Sequence, residues 1–159
     1  MEFLECGGNG DCLFHVQAYA LSLLLNKSIS MNDVRDGLAK TLNENNIQSF
    51  IQDVLNENPS NIKPRSLTEI QALIRKNGYD FIGTDKVVEW QTKHQFANLH
   101  MGILIITKFG KDFNPVFETK TTCFYMMIYH VPNQSHWQLV KFQKFHFISK
   151  TLVHLLYNN

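Results

Sequence analysis

The sequence predicts an α+β domain, a helical lobe packed on a small, mostly antiparallel β-sheet. Three observations carry this. Apolar residues recur at helical spacing between Leu13 and Leu99. From Gly102 onward the period changes to apolar, β-branched runs separated by turn residues. The 159 residues, 44% apolar and with twelve Phe, suffice for one hydrophobic core, so residues 1–159 are expected to form a single domain.

Leu13–Leu25 is a mostly apolar run opening directly after Cys12, long enough for a buried helix. Ser30 with Asp33 gives a second helix a capping-box-like start, followed by Val34, Leu38 and Leu42 at steps of four. The polar stretch Asn43–Pro64 still places Ile47, Phe50, Ile51, Val54 and Leu55 on one helical face, which predicts a short docked helix between loops. Ser66 and Glu69 repeat the capping signature before Leu67, Ile70, Leu73 and Ile74, with Asn77-Gly78 as the stop. Thr84 is the expected cap of a further helix running through Trp90 to about Leu99.

Gly102–Lys108 is continuously apolar and predicts a strand buried on both faces. Phe124–Val131 is a second strand, Pro132–Ser135 a turn, and His136–Phe142 a third strand closing an antiparallel hairpin. Leu152–Tyr157 fits either a strand or a helix.

The balance of charge excludes several functions. Charged residues reach only 18%, which opposes disorder, and a net charge of +1 gives no field that favours nucleic acid or an anionic membrane. Only Arg35, Arg65 and Arg75 supply guanidinium forks for phosphate recognition. Three cysteines (Cys6, Cys12 and Cys123) are too few for a disulfide framework, and the acidic start Met-Glu-Phe-Leu-Glu is unlike a secretory signal. No apolar run approaches the roughly 20 residues of a membrane span. A protein of a reducing, cytoplasmic compartment is expected, with its thiols available for chemistry.

The densest chemical signal is Gly7-Gly8-Asn9-Gly10-Asp11-Cys12-Leu13-Phe14-His15. The glycines permit positive φ and close backbone approach. Cys12 opens a helix, where unpaired N–H groups and the helix dipole favour the thiolate. Backbone N–H groups of Gly10, Asp11 and Cys12 are the expected oxyanion donors, Asp11 and Cys12 foremost. The plain alternative is that Cys12 is a packed core residue, since cysteine is among the most buried types.

A thiolate nucleophile needs a base, normally histidine. Seven histidines compete, and His136 is the strongest candidate because it follows a turn at a sheet end and can reach a helix N-terminus. His15 lies almost a turn beyond Cys12 and points past it. The base needs an orienting group. Residues i and i+2 share a strand face, which nominates Gln138; Asn9 is the alternative, and either would be neutral. The spacing Cys6-x5-Cys12-x2-His15 lacks the second pair that a zinc site requires, so no metal is expected.

Gly-Asn-Gly-Asp-Cys-Leu-Phe-His resembles the cysteine box of the ovarian-tumour (OTU) deubiquitinases, written D-G-x-C-L-F. Ser135-His136-Trp137-Gln138-Leu139-Val140 resembles their histidine box, and Trp90, Ala97 and Ile103–Ile106 are similar to the intervening helix and strand. The resemblance runs from about Glu5 to Phe142. It implies a papain-like fold and thiol-dependent hydrolysis of isopeptide or peptide bonds at the C-terminus of ubiquitin. Cys12 would be the nucleophile, His136 the base, Gly7–Asp11 the oxyanion loop, and Trp137 the aromatic beside the histidine, a substrate contact. No cofactor is implied, and the partner would be ubiquitin or a polyubiquitin chain, met by a monomer.

Two positions depart from the family pattern. Asn9 stands where the family has Asp, and Gln138 where it has Asn or Asp, so the third group is open. The chain begins eleven residues before Cys12, leaving room for a missing N-terminal piece. Two alternatives stand beside the active enzyme. One is a weakly cleaving, ubiquitin-binding module; the other is a papain-like cysteine peptidase acting on a viral polyprotein or a ubiquitin-like modifier. The Asn- and Lys-rich composition points to an AT-rich genome, such as that of a virus or intracellular bacterium, whose protein would act in host cytosol.

Overall fold

The computed structural model describes residues 1–8, 10–56, 65–79, 84–107, 115–132 and 134–157. Among these, six helices and six strands form a helical lobe, one mixed sheet and a last helix on the sheet's far face.

Helix α1 (Cys12–Leu25) buries Cys12, Leu13, Phe14, Val16, Gln17, Ala18, Ala20 and Leu21, which accounts for its mostly apolar sequence. It ends at Asn26 in the left-handed conformation. Helix α2 (Met31–Lys40) starts with a complete capping box. Ser30 Oγ accepts from the Asp33 N–H at 3.1 Å, and Asp33 Oδ2 accepts from the Ser30 N–H at 2.8 Å. Helix α3 (Ile47–Asp53) docks through Ile47, Phe50 and Ile51. Helix α4 (Leu67–Arg75) is capped by Ser66, which accepts from the Glu69 N–H at 3.2 Å.

Helix α5 (Thr84–His94) is shorter than the expected run to Leu99. The Gln95 and Phe96 N–H groups both bond to the Gln91 carbonyl, and a 3-10 turn over Ala97–Leu99 follows. The capping side chain expected at Thr84 lies outside the described residues.

The strands are β1 (Glu2–Leu4), β2 (Met101–Ile106), β3 (Val116–Phe117), β4 (Phe124–His130), β5 (Trp137–Lys141) and β6 (Phe147–Ser149). Their order is β1-β5-β4-β2-β3, with β6 also on β4. Four pairings are antiparallel, and the central β2–β4 pair is parallel. That pair explains why β2 is buried at all six positions: it lies inside the sheet with both faces covered. Lys108, the expected end of β2, is outside the described residues.

Alternation divides the sheet's side chains. Met101, Ile103, Ile105, Met126, Ile128, Trp137 and Leu139 join the core of the helical lobe. Leu104, Ile106, Tyr125, Met127 and Val140 face the other way, where Val153 covers them. Val153 belongs to α6 (Lys150–Tyr157), so the ambiguous C-terminal segment is a helix. None of the helices among the described residues is long and apolar enough to cross a membrane.

Candidate active site

The cysteine loop and the β4–β5 turn, far apart in sequence, meet at one edge of the helical lobe. Cys12 is the first residue of α1, and its Sγ donates to the Ser135 carbonyl at 3.5 Å. Ser135 immediately precedes His136. The turn is closed by the Val131 N–H bonding to the His136 carbonyl at 3.0 Å, and the Gln134 N–H to the Val131 carbonyl at 3.2 Å. The thiol is thus brought against the segment that carries the imidazole. Cys12 is only 5% exposed, with its sulfur against the Ser135 carbonyl.

The imidazole is held from an unexpected direction. His136 Nε2 lies 2.6 Å from Glu5 Oε2, and Gln138 Nε2 donates to the other oxygen, Glu5 Oε1. Glu5 follows β1, whose register with β5 pairs Phe3 with Val140 and Leu4 with Leu139. One further step sets Glu5 across from Gln138, with its carboxylate between Gln138 and His136. The expected neutral orienter is therefore corrected. Gln138 shares a face with His136 as the strand period requires, but its amide binds the carboxylate, and the group on the ring is an acid. Asn9, the other candidate, lies outside the described residues.

The hydrogen bonds from Gln138 and from His136 hold the Glu5 carboxyl below its usual range. An ionised carboxylate can only accept, so the ring donates Nε2–H to Glu5, and in a neutral imidazole the lone pair is then on Nδ1. That nitrogen is the one available to a thiol. Sequence reasoning missed Glu5 because β1 is three residues long and its partner strand lies at the other end of the chain. The available signal was an acid two residues before the glycine run, preceded by the apolar pair Phe3-Leu4.

Two further expectations are revised. Trp137 is 1% exposed, points into the core of the helical lobe and stacks on His130 at 4.6 Å between centroids. It lines no open surface, because β5 alternation turns it inward while Gln138 turns out, and the substrate-contact role does not fit it. Asp11 is not a spare oxyanion donor either. Its N–H bonds to the Gly8 carbonyl at 3.2 Å in a turn in which Gly10 adopts φ +84°.

The Asp11 carboxylate has a different task. Arg35, 0% exposed, reaches it from α2 through Nε at 2.9 Å and Nη2 at 2.6 Å. The same guanidinium donates to the carbonyls of Ile74 at 3.0 Å, Tyr79 at 2.8 Å and Gly10 at 3.3 Å, and it covers the Phe14 ring at 4.3 Å. The Gly78 N–H also donates to Asp11 Oδ1, at 2.8 Å. The loop and the 76–79 turn are in backbone contact: a Cβ on Gly10 would lie 2.4 Å from the Gly78 carbonyl oxygen.

The His15 ring packs on Gly7, where an added Cβ would meet it at 2.3 Å. No cluster of three or more metal-ligating side chains occurs among the described residues.

The sequence matches no protein-family model and no curated protein. Among solved structures, the chain is similar to an OTU deubiquitinase from Wolbachia pipientis wMel, crystallised bound to ubiquitin. The TM-score is 0.53 at 12% identity, over 86% of this chain and 93% of that one. The fold is accordingly that of the OTU deubiquitinases, α+β with a mixed six-stranded sheet.

Proposed function

We propose that the protein is a cysteine-type deubiquitinase that hydrolyses the bond at the C-terminus of ubiquitin, with Cys12 as nucleophile, His136 as general acid and base, and Glu5 as the group that orients His136. The observation that carries this reading is the convergence of three distant segments. The thiol at the start of α1 touches the turn that leads into His136, and the carboxylate beyond β1 binds His136 Nε2. The likeness of fold to a deubiquitinase bound to ubiquitin supports the choice of substrate.

The chemistry follows from these positions. His136 Nδ1 takes the Cys12 proton, and Glu5 stabilises the imidazolium. The thiolate attacks the scissile carbonyl, and N–H groups at the start of α1 receive the oxyanion. Collapse of the tetrahedral intermediate breaks the C–N bond while imidazolium gives its proton to the leaving amine. His136 then removes a proton from water, whose oxygen attacks the thioester and releases a carboxylate and the thiol. Attack by the thiolate requires that the S–H contact with the Ser135 carbonyl be given up.

The burial of Cys12 favours one second reading, a module that holds ubiquitin and cleaves it poorly. Hydrolysis of ubiquitin carrying a C-terminal fluorogenic amide separates the two. The proposal expects turnover that is lost in Cys12→Ala and in His136→Ala. Ubiquitin binding by the wild type without turnover would replace it with the second reading.

A further inference from the structure

Asp11 sits at the cap position of α1. A cap aspartate ordinarily accepts from the N–H groups of the first turn. Here it makes no such bond. Its Oδ1 is instead committed to Arg35 Nε, Arg35 Nη2 and the Gly78 N–H. A buried ion pair of this kind gives little net stability, since desolvating both charges offsets most of their attraction. Its location is therefore more informative than its strength. It lies one residue before the nucleophile, at the helix end where negative charge on sulfur and on the substrate oxygen has to develop.

We propose that Arg35 is a positioning residue for the nucleophile loop, drawing the Asp11 carboxylate off the N-terminal end of α1 and compensating its charge. The inference rests on the reading of Cys12 as nucleophile. Two properties of the guanidinium act separately. Its charge neutralises an anion that would otherwise oppose the Cys12 thiolate through space. Its planar fork ties Asp11, the Gly10 carbonyl and the Ile74 and Tyr79 carbonyls to one side chain, which fixes the backbone that presents the oxyanion donors. The Phe14 ring under the guanidinium and the close fit of Gly10 on Gly78 leave the loop one arrangement.

Two variants separate charge from geometry. Arg35→Gln keeps hydrogen-bonding capacity and loses the charge; Arg35→Lys keeps the charge and loses the fork. The first readout is the rate at which iodoacetamide alkylates Cys12 as a function of pH, resolved from Cys6 and Cys123 by peptide mass spectrometry. In Arg35→Gln the rate at neutral pH is expected to fall about tenfold, with the whole profile displaced to higher pH. Arg35→Lys is expected to keep the wild-type profile. On fluorogenic ubiquitin, however, its kcat is expected to fall about tenfold or more with KM unchanged, as for a weakened oxyanion site.

The alkylation profile reads the charge effect whether or not ubiquitin is the substrate, so failure of this inference and failure of the deubiquitinase reading are distinguishable. Should Arg35→Gln not fold, the kcat-against-KM split of Arg35→Lys decides alone. Wild-type profiles and wild-type kcat in folded variants overturn the proposal. So does unfolding of both variants, which would make the cluster a support of the fold rather than of the loop.

Discussion

The two halves of the site are built in opposite ways. The half that carries the cysteine is set in the helical lobe around a fully buried guanidinium that reaches Asp11 and three backbone carbonyls. The half that carries the histidine stands at the sheet margin, where His136 is 24% exposed and Glu5 61%. Charges of the first half interact at low dielectric, and removing a partner leaves an uncompensated ion. Charges of the second half are screened by water and contribute little to stability. The comparison teaches that the fold holds the two halves by different means, a buried ion-pair network on one side and a water-exposed carboxylate on the other. The loop before Cys12 is tied to the buried Arg35, and the His136 ring is held by a carboxylate that water can reach.

The sharpest way to break this contrast is to remove one acid from each half. Asp11→Ala strands Arg35 in the core, and urea unfolding is expected to show a loss of about 3–5 kcal/mol. Glu5→Ala removes an exposed partner and should lower stability by no more than about 1 kcal/mol in the same assay. Equal losses would show that the two halves are not built differently.

Activity should order the variants of the exposed half differently from stability. Glu5→Ala is expected to lower kcat on a ubiquitin substrate by about tenfold to a hundredfold, a part of the roughly 10²–10⁴ that a positioned base supplies. Gln138→Ala removes a bond to Glu5 rather than to the ring, so a smaller fall, about twofold to fivefold, is expected. A larger effect at Gln138 than at Glu5 would return the orienting role to the amide.

The smallest effect is a pH dependence of stability. The Glu5 carboxyl is held below its ordinary value of 4.5 by its bonds to Gln138 and His136. Its contribution is therefore fully present above 4.5 and is lost as pH falls through the lowered value. Melting temperatures of wild type and Glu5→Gln, compared across that range, should differ by a constant amount above it and converge below it. A gap that persists at the acid end would mean that Glu5 acts through something other than its charge.

Local signals in the sequence were enough where a residue's own neighbours decide its state. Ser30 with Asp33 and Ser66 with Glu69 are hydrogen-bonded caps, and the face of Ile47, Phe50 and Ile51 is buried. The change to a strand period at β2 and β4 is present as read. Strands β1, β3 and β6, of three, two and three residues, are too short to show a period. They exist because a neighbouring strand supplies their hydrogen bonds. The parallel pairing of β2 with β4 depends on the crossover between them, which no local pattern encodes.

The site divides along the same line. Cys12 and His136 stand out within motifs of a few residues, whereas Glu5 acquires its place only through the register of β1 on β5. Asp11 was legible as part of the loop, but not as the partner of Arg35, because nothing in α2 marks that arginine as buried. Trp137 follows the same logic in reverse. The motif marks it, and the alternation of β5 then sends it into the core.

The central claim, that the sulfur of Cys12 is the nucleophile acting on the C-terminus of ubiquitin, is tested most directly with ubiquitin carrying an electrophile in place of its terminal carboxylate. Intact mass should show one covalent adduct on the wild-type chain, mapped to Cys12, absent from Cys12→Ala and slowed in Glu5→Ala. No adduct, or one that survives Cys12→Ala by forming at Cys6 or Cys123, would contradict the account.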